Sequence, residues 1–233
     1  MLTRKLFPVY LLTGLTLTTF FYLLKSRDVI SVPIFLDGSQ FHRPPMKDGQ
    51  FPWSTRPENH PVSSLIPLPT GSPAKIPQIQ HQFAQESGDD LLKRNKCRQK
   101  VKETFTRAWN GYRDHAWMKD ELSPISGNSL NRFGGWAATL VDSLDTLWIM
   151  DMKEEFEQAV ESVKNIDFTT TEEEEINTFE TTIRYLGGLL AAYDLSDGKY
   201  PVLLNKAVQL GDMLYAAFDT PNRMPITRWH WKT

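Results

Sequence analysis

Residues 133–150 read FGGWAATLVDSLDTLWIM, and residues 179–193 read FETTIRYLGGLLAAY. Both stretches are apolar with helical periodicity. Leu140, Val141, Leu144, Leu147 and Trp148 recur at short helical intervals, and Ile176, Phe179, Ile183, Leu186, Leu190 and Tyr193 form a second stripe. Each stretch nevertheless carries acids at or near the face that should be buried: Asp142 and Asp145 in the first, Glu180 in the second. A carboxylate taken out of water is costly unless it is paired, protonated or catalytic. These three side chains therefore call for a reason.

Working outward, the same periodicity recurs on both sides. Val101, Phe105, Ala108, Trp109, Tyr112 and Ala116 make an earlier stripe, Phe156, Ala159, Val160 and Val163 a short one, and residues 202–218 a last one. Polar or helix-breaking runs separate them: SPISGNS at 123–129, DFTTTEEEE at 167–175, DLSDGKY at 194–200 and DTPNRMP at 219–225. No alternating strand pattern competes. Residues 91–233 thus read as an all-α domain of helical hairpins, with short loops that pack successive helices antiparallel.

The chain before this domain has a different character. Residues 6–24, LFPVYLLTGLTLTTFFYLL, are free of charge and flanked by Arg4, Lys5, Lys25 and Arg27. Nineteen such residues are close to the ~20 a membrane-spanning helix needs. The reading is an uncleaved signal anchor, in preference to a cleaved signal peptide, because no small-x-small cleavage site follows cleanly. Residues 1–27 then form a cytoplasmic tail and anchor. Residues 28–90 hold ten of the fifteen prolines and read as an extended, mostly unstructured stem.

Bulk composition narrows the function. With 26 basic and 28 acidic residues the net charge is −2, which gives no polycationic footprint for nucleic acid. The single cysteine, Cys97, excludes an intrachain disulfide and a cysteine-rich zinc site, and reads as a small buried residue. The acidic run at 172–175 lacks the spacing and turn glycine of a calcium loop, so it reads as a solvated face or helix N-terminus.

Glu180 is the best candidate for an acid. Phe179 and Ile183 flank it and point to a desolvated carboxyl suited to proton donation. Arg184 follows four residues on, placed to pair with Glu180 or to hold a sugar hydroxyl. On spacing alone the pair also fits an ordinary helix-surface ion pair. Asp142 and Asp145 lie three apart and share a helix face, near the site or satisfied by local amides and hydroxyls. Asp120 and Glu121, after the first helix, read as structural. Gly187 and Gly188 interrupt a helix, for close packing or for ligand room. Trp136 and Trp148 suit the core or a sugar ring, and Arg228 sits in a loop within reach of bound sugar or open to solvent.

These two stretches, continued by YPVLLNKAVQLGDMLYAAFDTPNRMPITRWHW at 200–231, closely resemble glycoside hydrolase family 47, the class I α-1,2-mannosidases. The resemblance covers residues 97–233. It implies an (α/α)7 barrel, of which about five of roughly fourteen helices are present here. It also implies calcium-dependent, inverting removal of terminal α-1,2-mannose from high-mannose N-glycans on glycoproteins, in the ER or Golgi lumen, with a type II membrane anchor. Carried over residue by residue, Glu180 is the catalytic acid and Arg184 a sugar ligand. Asp142, Asp145 and Arg228, which the resemblance does not assign, are read beside them as further substrate-binding residues. The remaining catalytic carboxylates and the calcium site are expected beyond Thr233, so no metal ligand is assigned here and the isolated chain is expected to be inactive. An open part of such a barrel is also expected to expose apolar inner faces. Family members usually carry glycine where this chain has Ala137, a mild change, and Asp151, a change tolerated at a helix end if the backbone there is not left-handed. Two alternatives from other classes stand beside this reading: a non-catalytic glycan-binding quality-control protein, and a membrane-anchored helical interaction protein.

Overall fold

The computed structural model describes residues 53–231, apart from 65, 68, 73 and 76. The anchor read at residues 6–24 and the start of the stem lie outside the described residues. No helix among the described residues is long and apolar enough to cross a membrane.

The first helix, α1 (Gly88–Ala116), starts where Ser87 accepts the amide of Asp90, with Asp89 and Asp90 favourably placed in its first turn. Its expected stripe is buried only at the C-terminal end, at Trp109, Tyr112 and Ala116, while Val101 and Ala108 are exposed. Cys97 is also exposed on this helix, correcting its expected burial. A short antiparallel ladder follows, β1 (Glu121–Leu122) with β2 (Ser129–Leu130). Helices α2 (Ala138–Asp142) and α3 (Leu144–Ile149) then divide at Ser143 what the sequence reads as one helix. Leu140, Val141, Leu144 and Leu147 are buried as expected, as are Phe156, Ala159, Val160 and Val163 on α4 (Lys153–Val163).

Strand β3 (Glu175–Asn177) leads directly into α5, residues 178–195, and pairs with β4 (Arg228–His230). Between them, α6 (Pro201–Ala216) begins with proline at its first turn, where the missing N–H costs nothing. The domain is all-α in class, as expected, and the two short ladders are additions that the sequence does not announce. Pairs of two and three residues are too short to show alternation in sequence.

Helix α5 is not uniform. Thr178–Glu180 and Gly187–Leu195 are α-helical, but Thr181–Leu186 is a π-helical turn. The buried positions are Thr178, Thr181, Tyr185, Leu189 and Ala192. The stripe expected from sequence is therefore displaced: Phe179 is 64% exposed and Ile183 50%. Tyr185 takes the inward place because its hydroxyl finds partners there, donating to the carbonyl of Phe133 at 2.7 Å and lying 3.2 Å from Asp120 Oδ1. Asp120, fully buried, accepts the amides of Phe133, Gly135 and Ala138 at 2.8, 2.9 and 3.1 Å. Its own carbonyl accepts the Thr139 hydroxyl at 2.6 Å. The structural role expected for Asp120 is thus that of a knot joining β1, the 133–138 loop and α5.

The proline-rich segment is not a free spacer throughout. A 3-10 turn, Trp53–Thr55, packs on α6, and Trp53 is buried in the core. Apolar surface and hydrogen-bonding partners on the helical domain outweigh the proline-driven preference for an extended chain at this point. Further on, Phe179, Ile183, Met224 and Ile226 stand exposed.

Three backbone positions test this packing. Ala137 and Asp151 both have left-handed backbones, with φ of 61° and 55°, so the condition for tolerating Asp151 is not met and the change at Ala137 is less mild than expected. Gly188 packs so closely that an added Cβ would lie 2.9 Å from the carbonyl oxygen of Val141, which explains that glycine by packing. Asp151→Gly is expected to stabilise by about 0.5–1 kcal/mol, since the exposed side chain loses little. Ala137→Gly should be nearly neutral, because strain relief is offset by the loss of a fully buried methyl. Gly188→Ala should cost about 1–3 kcal/mol through overpacking against backbone. Thermal melts of the three variants beside the parent check this order.

Candidate active site

Glu180 sits at the end of the first α-helical turn of α5. The turn is started by Asn177, whose side chain accepts the Glu180 amide at 3.2 Å. One turn later, Arg184 donates from Nε to Glu180 Oε2 at 2.7 Å. Its Nη1 donates to Asp142 Oδ2, also at 2.7 Å, reaching across from the end of α2. The guanidinium lies over the Phe133 ring, 4.5 Å from its centroid. One cation is therefore held between two carboxylates and an aromatic face. All three charged side chains are about a third exposed or a little less, at 34%, 32% and 28% for Arg184, Asp142 and Glu180.

Glu180 is thus not in the desolvated apolar pocket read from its neighbours. Phe179 and Ile183 face outward, and the carboxylate meets a cation and a cleft instead. That cleft, about 190 Å³, is lined by Phe133, Trp136, Glu173, Asn177, Glu180 and Arg228, among others. Arg228 is on strand β4 opposite Asn177, rather than in a loop, and the ladder brings it to the wall shared with Glu180. Glu173 and Glu175 line the same cleft, so the acidic run forms a wall leading into a strand, not a helix N-terminus.

Asp142 and Asp145 separate in role. Asp142 closes α2 and pairs with Arg184, whereas Asp145 sits in the first turn of α3 and accepts the hydroxyl of Thr146 at 3.1 Å. Burial pushes the Asp142 carboxyl above its ordinary range, and the nearby Asp145 and Glu180 charges add to this, although Arg184 pulls the other way. Trp136 belongs to the core, with its indole N–H donated to Thr170 and its ring edge-on to Phe168 and Tyr185. Trp148 packs edge-on to Phe156 under Lys153, and it does not line the cleft, whereas Trp136 does from its place in the core. Sequence reasoning missed Asn177 and Phe133. The helix-capping preference of asparagine just before an apolar run was the one available signal for Asn177. Phe133 had none, because its place under Arg184 depends on the loop that Asp120 folds.

Residues 104–233 match the model of glycosyl hydrolase family 47. Among curated relatives, the mannosyl-oligosaccharide 1,2-alpha-mannosidase MNS1 of Arabidopsis thaliana is 48% identical over 129 residues, covering 55% of this chain and 22% of the relative. The endoplasmic reticulum mannosyl-oligosaccharide 1,2-alpha-mannosidase of Rattus norvegicus is 43% identical over 134 residues, covering 57% and 20%. Among solved structures, an alpha-1,2-mannosidase from Trichoderma reesei aligns with a TM-score of 0.56 at 33% identity, covering 59% of this chain and 31% of that one. The chain spans less than a third of the length of each of these proteins.

The Asp142 shift carries a pH signature. A carboxyl held above its ordinary value of 3.8 binds its proton more tightly in the folded state. Its contribution to stability is full below that value and is lost as pH rises through the folded value. Asp142→Asn does not titrate, so its stability relative to the parent should improve as pH rises from about 4 through the carboxylate range. Chemical denaturation of both proteins at a series of pH values measures that difference, and a flat difference contradicts the assignment.

Proposed function

Because this chain belongs to glycosyl hydrolase family 47, we propose that it forms the proton-donating part of a mannosyl-oligosaccharide α-1,2-mannosidase built on a partial (α/α)7 barrel. The substrate is terminal α-1,2-linked mannose on high-mannose N-glycans. The observation that carries the reading is the Glu180–Arg184–Asp142 array at a cleft, within the family-matched residues.

Glu180 is the acid. When protonated it gives up its ion pair with Arg184, and Asp142 keeps the guanidinium satisfied while it does so. The proton passes to the glycosidic oxygen, the bond from that oxygen to the anomeric carbon breaks, and the shortened glycan leaves with the new hydroxyl. Water attacks the anomeric carbon from the opposite face and loses its proton to a second carboxylate, giving inversion. That second carboxylate is expected beyond Thr233. Arg184 and Arg228 bind sugar hydroxyls from two sides, with Asp142 and Asp145 behind them, and the Phe133 ring holds Arg184 flat.

Calcium is part of the proposal through the family likeness alone. Among the described residues, no group of three or more His, Cys, Asp or Glu side chains is arranged to hold a metal. An ER or Golgi membrane location, with residues 6–24 as a type II anchor and the helical domain lumenal, is supported by that apolar run and by the name of the rat relative.

The test uses the complete product of the native gene. It is expected to release mannose from a high-mannose oligosaccharide as the inverted anomer, with activity lost on chelation and restored by calcium. Glu180→Gln should lower the rate by about 10²–10⁴-fold. The isolated 233-residue chain is expected to show no turnover. Glycan binding without hydrolysis by the complete product would instead favour a glycan-binding quality-control protein, and indifference to Glu180→Gln would overturn the role of this residue.

A further inference from the structure

Trp53 lies 51 residues before the family-matched region begins at residue 104, yet it is part of the buried core. Its indole N–H donates to the carbonyl of Phe168 at 3.1 Å, a bond that spans 115 residues of sequence. Its ring meets Trp229 edge-on, with centroids 5.5 Å apart, and lies tilted against Trp231 at 6.5 Å. Trp229 is the middle residue of β4 and stands opposite Ile176 in the ladder. Trp231, just past the ladder, donates its own indole N–H to the carbonyl of Glu173 at 2.9 Å. One end of this ladder matters for the site. Asn177 starts the turn that presents Glu180, and its ladder partner Arg228 lines the same cleft.

A second fastening keeps this segment in place. Asp219, just after α6, accepts the amides of Asn59 and His60 at 2.8 and 2.7 Å, and Arg56 approaches it at 3.8 Å. Arg223 donates to the carbonyl of His60 and lies 3.4 Å from Glu58. The Asn59 amide, followed by the His60 amide and the Arg56 charge, holds the Asp219 carboxyl below its ordinary range, against the opposing effect of burial. Residues 53–60 are thus strapped across α6 at one end and wedged between the ladder and Phe168 at the other.

We propose that Trp53 is a positioning residue for the candidate site, holding the β3–β4 ladder so that Asn177 and Arg228 keep their places beside Glu180. This rests on the reading of Glu180 and Arg228 given above. A bare spacer would leave these contacts without purpose, since a spacer needs only reach. An isolated three-residue ladder has little stability of its own, because short two-stranded pairs depend on packing against one face. Trp53 supplies that packing from a segment remote in sequence.

The experiment is amide hydrogen exchange on the full chain carrying Trp53→Ala or Trp53→Phe, with α4 as internal reference. Trp53→Ala should speed exchange at 175–177 and 228–230 by about tenfold or more while α4 is unchanged, the signature of local rather than global opening. Trp53→Phe keeps an aromatic ring and loses the bond to Phe168, so it should recover most of the protection. If Trp53→Ala also exposes α4, the comparison is made on Trp53→Phe, which should open the ladder by about two- to fivefold with α4 intact. An unchanged ladder in both variants overturns the proposal. In the complete gene product, Trp53→Ala should raise KM for oligosaccharide more than it lowers kcat, with recovery in Trp53→Phe. Faster exchange with unaltered kcat and KM reduces Trp53 to a purely structural residue and also overturns it. Should the gene product release no mannose at all, the exchange result still stands and the failure belongs to the enzymatic reading.

Discussion

Asp120 accepts hydrogen bonds from three backbone amides, and the Tyr185 hydroxyl stands within bonding distance of its carboxylate. A fully buried acid of this kind is tolerable only because donors replace the water it has lost, and each charge-assisted bond to it is worth more than a neutral one. The arrangement cannot be relaxed piecemeal, since removing a donor leaves a buried oxygen unsatisfied. What it fixes is the course of the chain from Phe133 to Ala138 and the rotation of the helix carrying Tyr185. Phe133 then lies flat beneath Arg184, and Arg184 reaches both Glu180 and Asp142. The polar array at the cleft is thus a consequence of one buried carboxylate some distance behind it.

The fold was readable wherever apolar and polar faces contrast sharply. Leu140 to Leu147 and Phe156 to Val163 are buried as their spacing indicates, because neither stretch has a polar residue that gains more by turning inward. The stripe on the helix of Glu180 was misread for the opposite reason. Thr178, Thr181 and Tyr185 look amphipathic in sequence, but each finds an inward position, Thr178 and Tyr185 with backbone carbonyls as partners, and together they displace Phe179 and Ile183. No periodicity of single residues announces a π turn. The ladders were equally silent, since three residues cannot establish an alternation.

The site divides along the same line. Glu180 and Arg184 are neighbours on one helix, so their pairing follows from spacing, and family resemblance supplied the role. Asp142 joins them across 42 residues, and Arg228 through a ladder invisible in sequence. Trp53 is the extreme case. A lone tryptophan in a proline-rich run carries no local pattern, and its partners lie more than a hundred residues away. High proline content opposes regular structure, but irregular chain can still be packed chain.

The π turn has a further consequence, for length rather than for composition. A π turn closes its hydrogen bonds five residues apart instead of four, so it takes in one residue more than an α turn. Loss of one residue within Thr181–Leu186 would let the segment return to ordinary α-helix, with the helix on either side keeping nearly the same faces. Gly188 would still meet Val141, where no side chain fits. The change would fall within the turn itself, on the spacing that sets Arg184 against Glu180 and Tyr185 against Asp120. The helix thus carries one spare residue, and it carries it beside the acid.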